Sequence, residues 1–93
     1  MLFESDIEKR LVAGVEKLGG VCLKFGQDGW PDRLVVLPQG RLIWVELKRP
    51  DGELATLQKW RIKTLRRLGQ EVENPWTMEQ VLDLLKQWKP PTH

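Results

Sequence analysis

Two apolar runs, Arg33-Leu-Val-Val-Leu37 and Arg41-Leu-Ile-Trp-Val-Glu-Leu-Lys48, are separated only by Pro38-Gln39-Gly40, and this constrains the chain more than any other stretch. Both runs have the β-branched, aromatic and aliphatic composition of strands, and the residues between them carry turn chemistry of hairpin length. If all three form the loop, Leu37 pairs with Arg41, and counting back places Asp32 directly opposite Glu46. A two-residue loop would shift the register by one and send the two acids to opposite faces. Alternation along the strand puts Glu46 and Lys48 on one face.

Like charges facing across a ladder repel unless a cation lies between them. Carboxylate oxygens suit Mg²⁺ or Mn²⁺. Gly29-Trp30-Pro31-Asp32 with Glu46-Leu47-Lys48 therefore outlines a metal-dependent site for phosphodiester hydrolysis, with two acids for the cation and an amine for developing negative charge. The competing explanation is an Asp at a strand start and a solvated Glu-x-Lys face, which many proteins carry by chance.

Two further residues bear on the choice. Projected at about 100° per residue, a helix from roughly Asp6 to Leu18 has Ile7, Leu11, Val12, Val15 and Leu18 on its apolar arc, with Glu8 inside it. Ser5-x-x-Glu8 also fits a capping box. A first-turn cap, however, does not explain an acid facing the sheet, where an unpartnered charge is costly. The second residue is Gln58, on a helix from about Leu54 to Leu68. Leu54, Leu57, Ile62, Leu65 and Leu68 form its apolar arc, in which Gln58 and Arg61 are embedded. Gln58 either supports the site or satisfies a buried backbone group. Arg61 does the same or reaches a phosphate. Lys59, Lys63, Arg66 and Arg67 form a basic stripe on the opposite side.

The remaining segments complete an αβββαβα order. Leu18-Gly19-Gly20 ends the first helix, and Val21-Cys-Leu-Lys-Phe25 reads as a first strand. Gln70–Asn74 reads as a short edge strand stopped by Pro75, and Thr77-x-x-Gln80 caps a last helix with Met78, Val81, Leu82, Leu85 and Trp88 on one face. Strands as apolar as Leu34–Leu37 need helices on both faces of the sheet. Trp44 shares the face of Glu46 and packs under the first or second helix; Trp88 belongs to the core or to an interface. Trp30 either anchors its loop or stacks on an unpaired base.

Taken together, an inward Glu on a first helix, a strand, G-x-P-D, a hairpin, E-L-K and a helix carrying Gln resemble the VRR-NUC domain of the PD-(D/E)XK nuclease superfamily. The resemblance runs from about Ser5 to Leu85. It implies one domain over residues 1–93, with a tail at 89–93, and a restriction-endonuclease-like α/β core whose mixed β-sheet is flanked by helices. It further implies that Asp32, Glu46, the Leu47 carbonyl and Glu8 bind Mg²⁺ or Mn²⁺, that Lys48 acts on the attacking water or the developing phosphorane, and that Gln58 supports the site. Small stand-alone members resemble Holliday-junction resolvases, which implies a homodimer acting on branched DNA.

Composition sets limits. Ninety-three residues suffice for one modest core. A net charge of +2, fifteen basic against thirteen acidic residues, is not the excess of a sequence-neutral DNA coat. Distribution matters more, and Lys24, Arg33, Arg49, Lys59, Lys63, Arg66 and Arg67, with Trp30, are the candidate DNA contacts. A single cysteine, Cys22, excludes an internal disulfide and suggests a buried small side chain. There is no apolar run of about 18 residues and no signal-peptide pattern, so a soluble, cytoplasmic chain without membrane partners is expected. No glycine-rich phosphate loop indicates a nucleotide cofactor, and His93 stands alone. Two other functions fit the same fold: a catalytically silent nucleic-acid-binding or dimerisation module, and a nuclease of the same chemistry acting on linear DNA or RNA. The former has no reason to keep Asp32, Glu46 and Lys48 together.

Overall fold

The turn at Pro38-Gln39-Gly40 sets the centre of the fold. In the computed structural model, which describes residues 4–49 and 56–90, it forms a tight 3₁₀ turn between β2 (Arg33–Leu37) and β3 (Arg41–Val45). Leu37 faces Arg41 and Arg33 faces Val45, the register that a three-residue loop demands. β1 (Val21–Lys24) adds antiparallel to β2, and β4 (Glu71–Glu73) adds parallel to β3, giving the order β1-β2-β3-β4. With α1 (Glu4–Lys17), α2 (Thr56–Arg67) and α3 (Met78–Trp88), the order is the expected αβββαβα around a mixed sheet.

α1 and α3 cover one face of the sheet. Ile7, Leu11 and Val15 of α1 and Val81, Leu84, Leu85 and Trp88 of α3 pack with Val35, Leu37, Ile43 and Val45 in the main core. Burial of each such side chain is worth about 1.5–3 kcal/mol. The two helices approach closely at Gly14, where an added Cβ would fall 2.3 Å from a Leu85 methyl carbon. On the other face, Ile62 and Leu65 of α2 pack on Val72, beside Trp30 and Trp44. Trp44 thus lies under α2. That face is covered less completely toward β1: Val21 and Leu23 are 52% and 47% exposed, and their ladder neighbours Val36 and Leu34 are half-buried.

Several local expectations change. α1 already includes Glu4, so Ser5 lies inside the helix instead of capping it, and the Glu8 carboxylate pairs with Arg33. Leu84 takes the buried place expected for Leu82, which is 37% exposed, because the buried arc of α3 is centred on Val81, Leu84, Leu85 and Trp88. Trp88 is core. The first turn expected for the second helix, including Leu54, lies outside the described residues; Leu57 and Leu68 are exposed, and Ile62 and Leu65 make the contact of α2 with the sheet. Cys22 is half-buried, and burial pushes its thiol up to about 11, which leaves it protonated and unreactive. The Thr77–Gln80 capping box is present in full.

Candidate active site

Asp32 reaches its place through the loop that precedes β2. The Phe25 amide donates to the Asp32 carbonyl across 2.8 Å, closing the loop at its base. Inside, Phe25, Trp30 and Trp44 pack as a triad with ring centroids 5.0–5.4 Å apart. Pro31 is fully buried. Gly29 adopts φ +79°, and an added Cβ would lie 2.5 Å from a Leu57 methyl carbon, so both conformation and space require glycine there. Each residue of Gly29-Trp30-Pro31-Asp32 therefore has a physical task, and the last presents its carboxylate to the end of β3. The Leu47 amide donates to Asp32 Oδ2 across 3.1 Å.

Glu46 follows β3 and is fully buried. It extends the ladder beyond Arg33–Val45, on the side of Trp44 and α2. Gln58 Nε2 donates to its Oε2 across 3.1 Å. Its Oε1 is buried and has no hydrogen-bond donor among the described residues. Burial, then the hydrogen bond and charge of Asp32, push the Glu46 carboxyl up from 4.5 to about 8, against the opposing pull of the Lys48 amide and ammonium. Two acids in contact share a proton or a cation; they do not both ionise unaided. Asp32 and Glu46 bring carboxylate oxygens together here, the ligand type that could hold a hard cation.

Asp32, Lys48, Gln58 and Glu8 line one cleft of about 330 Å³, together with Lys24 and the loop from Phe25 to Trp30. Glu8 enters it as half of an ion pair: Arg33 Nε donates to Glu8 Oε2 across 2.7 Å, and Arg33 Nη1 donates to the Cys22 carbonyl at 3.3 Å. Among the described residues no three acids, histidines or cysteines cluster as a cation site, and Glu8 lines the cleft while paired with Arg33. Arg33, for its part, is engaged inside the protein.

The other basic residues divide similarly. Lys59, Lys63 and Arg67 are exposed along α2, and Arg49 is exposed just beyond the site. Arg66 Nε and Nη2 both donate to the Val72 carbonyl, at 3.3 and 2.8 Å, so it ties α2 to β4. Trp30 is half-buried in the aromatic triad and serves as the loop's anchor.

One contributor escaped the sequence analysis. Asn74 Nδ2 donates to the Glu46 carbonyl at 2.7 Å and to the Lys48 carbonyl at 2.6 Å. It pins the backbone on either side of Leu47 while the Glu46 amide bonds the Glu73 carbonyl at 2.9 Å. The only local signal was an Asn at the end of the expected strand, just before the Pro75 that stops it.

A mixed sheet with Asp entering one strand, Glu-x-Lys leaving its neighbour, and a helix that lowers Gln onto the Glu is the arrangement that the resemblance noted in the sequence implies. No protein-family model matches the sequence. A solved structure described as a VRR_NUC domain superposes with a TM-score of 0.82 over 91% of this chain and 96% of that one, at 29% identity. The chain therefore shares the fold of that VRR_NUC domain. It is also 51% identical over 59 residues to the protein named "Putative nuclease p44" of Acyrthosiphon pisum secondary endosymbiont phage 1, covering 60% of this chain and 62% of that one. The match therefore spans less than two thirds of that relative's length. Among the described residues no helix is long and apolar enough to cross a membrane.

Proposed function

We propose that the domain is a Mg²⁺- or Mn²⁺-dependent endonuclease that hydrolyses phosphodiester bonds in DNA, selects branched or four-way junctions, and works as a homodimer. The observation that carries the chemistry is the contact of Asp32 with buried Glu46, whose Oε1 has no donor among the described residues, at a cleft that Lys48 also lines. The fold and the named relative support a nuclease.

Asp32, Glu46 and the Leu47 carbonyl would hold the cation, and their all-oxygen character fits a hard divalent ion. When bound, such an ion polarises the phosphate and lowers the pKa of a coordinated water. Gln58 fixes Oε2 of Glu46, which leaves Oε1 for the ion. Lys48 places a positive charge where negative charge grows on the phosphate oxygens during in-line attack. Resolving a four-way junction takes two symmetry-related cuts, and two-fold assembly of a one-site chain supplies them. With Trp88 buried, the dimer surface lies elsewhere than the buried side of α3.

A cleavage panel of linear duplex, flap and four-way DNA with Mg²⁺ or Mn²⁺, with and without EDTA, tests both parts. Cutting of junctions in preference to duplex, abolished by EDTA, is expected, with light scattering at about twice the 10.9 kDa chain mass. A monomer that cuts linear duplex equally well would remove the junction and dimer parts. No cation-dependent cleavage of any substrate would remove the nuclease.

A further inference from the structure

Trp60 stands on α2 with 54% of its surface open to solvent, although an indole is among the costliest groups to leave in water. It is not isolated. The Arg61 guanidinium lies 5.2 Å from the Trp60 ring centroid and 4.5 Å from that of Trp30. Trp30 in turn borders the cleft of Asp32, Lys48 and Gln58. Arg61 Nε is buried and has no hydrogen-bond partner among the described residues, while its guanidinium lies over both rings. These groups make a stair of planar surfaces from the cleft wall to the outside.

The surroundings of the outer step carry positive charge. Lys63 and Arg67 follow Trp60 at helical spacing and share its flank of α2, with Lys59 adjacent, and all three are exposed. A basic track that follows a phosphate backbone, with an aromatic face that accepts bases, is how proteins hold unpaired strands without reading their sequence. Duplex bases are already stacked on one another and offer such a ring no free face.

We propose that Trp60, backed by Arg61 and Trp30, is a landing platform for an unpaired base of a DNA strand that the Lys59–Lys63–Arg67 flank leads toward the cleft. The choice of polymer rests on the nuclease proposal; the stacking itself does not require cleavage. It also distinguishes Trp60 from a mere cover over the Arg61 stem, because a cover would affect stability and leave binding alone.

The test is fluorescence anisotropy of labelled oligothymidylate and of a blunt duplex of equal length, in EDTA, so that no cutting occurs. Trp60→Ala should bind oligothymidylate on the order of 10-fold more weakly, as loss of a base–aromatic stack predicts, with duplex binding unchanged. Trp60→Phe should retain most of the wild-type affinity. Because the ring is exposed, both variants should fold, which circular-dichroism melts verify. Wild-type affinity for oligothymidylate in Trp60→Ala, or equal weakening for duplex, overturns the proposal. Failure of the chain to cleave anything would remove the nuclease and leave this binding result to stand or fall alone.

Discussion

Arg33 and Glu8, twenty-five positions apart, hold each other at 2.7 Å, although each alone reads as a contact for something outside the protein. The pair joins α1 to the start of β2, one residue from Asp32. Glu8→Gln keeps an acceptor and loses the charge, so it should fold, with a loss of about 1–2 kcal/mol for a partly buried charged hydrogen bond. Its Mg²⁺ requirement for cleavage should stay close to wild type. A titration in which Glu8→Gln needs much more Mg²⁺ would return Glu8 to the cation.

The Asp32–Glu46 contact gives the apo protein a pH dependence of unusual sign. Glu46 keeps its proton up to about 8 when folded and releases it near 4.5 when unfolded. The folded chain therefore binds more protons across that window, and this contribution to stability is full below about 4.5 and fades as pH rises through about 8. A divalent cation prefers the ionised pair, so stabilisation by Mn²⁺ should grow over the same window, reaching about 2.7 kcal/mol at a hundredfold excess over Kd. Asp32→Asn should melt higher than wild type in EDTA and gain little from Mn²⁺. Thermal melts across pH check this, and equal Mn²⁺ shifts in both proteins would sink the cation site.

Lys48→Ala separates transition-state stabilisation from surface pairing. Its ammonium acts where charge develops, so cleavage should slow by on the order of 10²-fold or more while DNA binding changes little. An ion pair with Glu46 alone would be worth under about 1 kcal/mol and would leave turnover intact. Single-turnover rates beside binding isotherms distinguish the two.

Asn74→Ala should be costly for a residue so close to a strand end. It leaves the Glu46 and Lys48 carbonyls without their shared donor, a loss of roughly 2 kcal/mol. Asn74→Asp has nearly the same shape but presents only acceptors, so it should be at least as harmful. Melting curves and amide exchange at Leu47 report the effect; wild-type values in Asn74→Asp would mean that the two bonds contribute little.

What the sequence revealed, and what it hid, follows the range of the interactions. The Asp32–Glu46 juxtaposition was legible because a three-residue turn fixes register locally, and the Thr77–Gln80 cap because it spans one helical turn. Gln58 stood out as a polar residue in an apolar arc. Long-range partners left no such trace: nothing near Glu8 announces Arg33, and nothing near Asn74 announces two carbonyls just past the end of β3. Helix periodicity also left the arc of α3 ambiguous between Leu82 and Leu84, since only docking against α1 decides it. Trp60 was passed over because exposure is a property of the assembled surface.

The two rims of the sheet differ in a way that bears on how the chain meets its own kind. β4 is three residues long and flanks its one buried valine with Glu71 and Glu73, so two such rims brought together would set like charges side by side. β1 offers exposed Val21 and Leu23 instead, with a charge only at its last residue, Lys24. Any growth of this sheet by strand addition, whether productive pairing or the first step of aggregation, is thereby polarised toward β1, and a single lysine in place of Val21 is where a concentrated preparation would be made to stay dispersed.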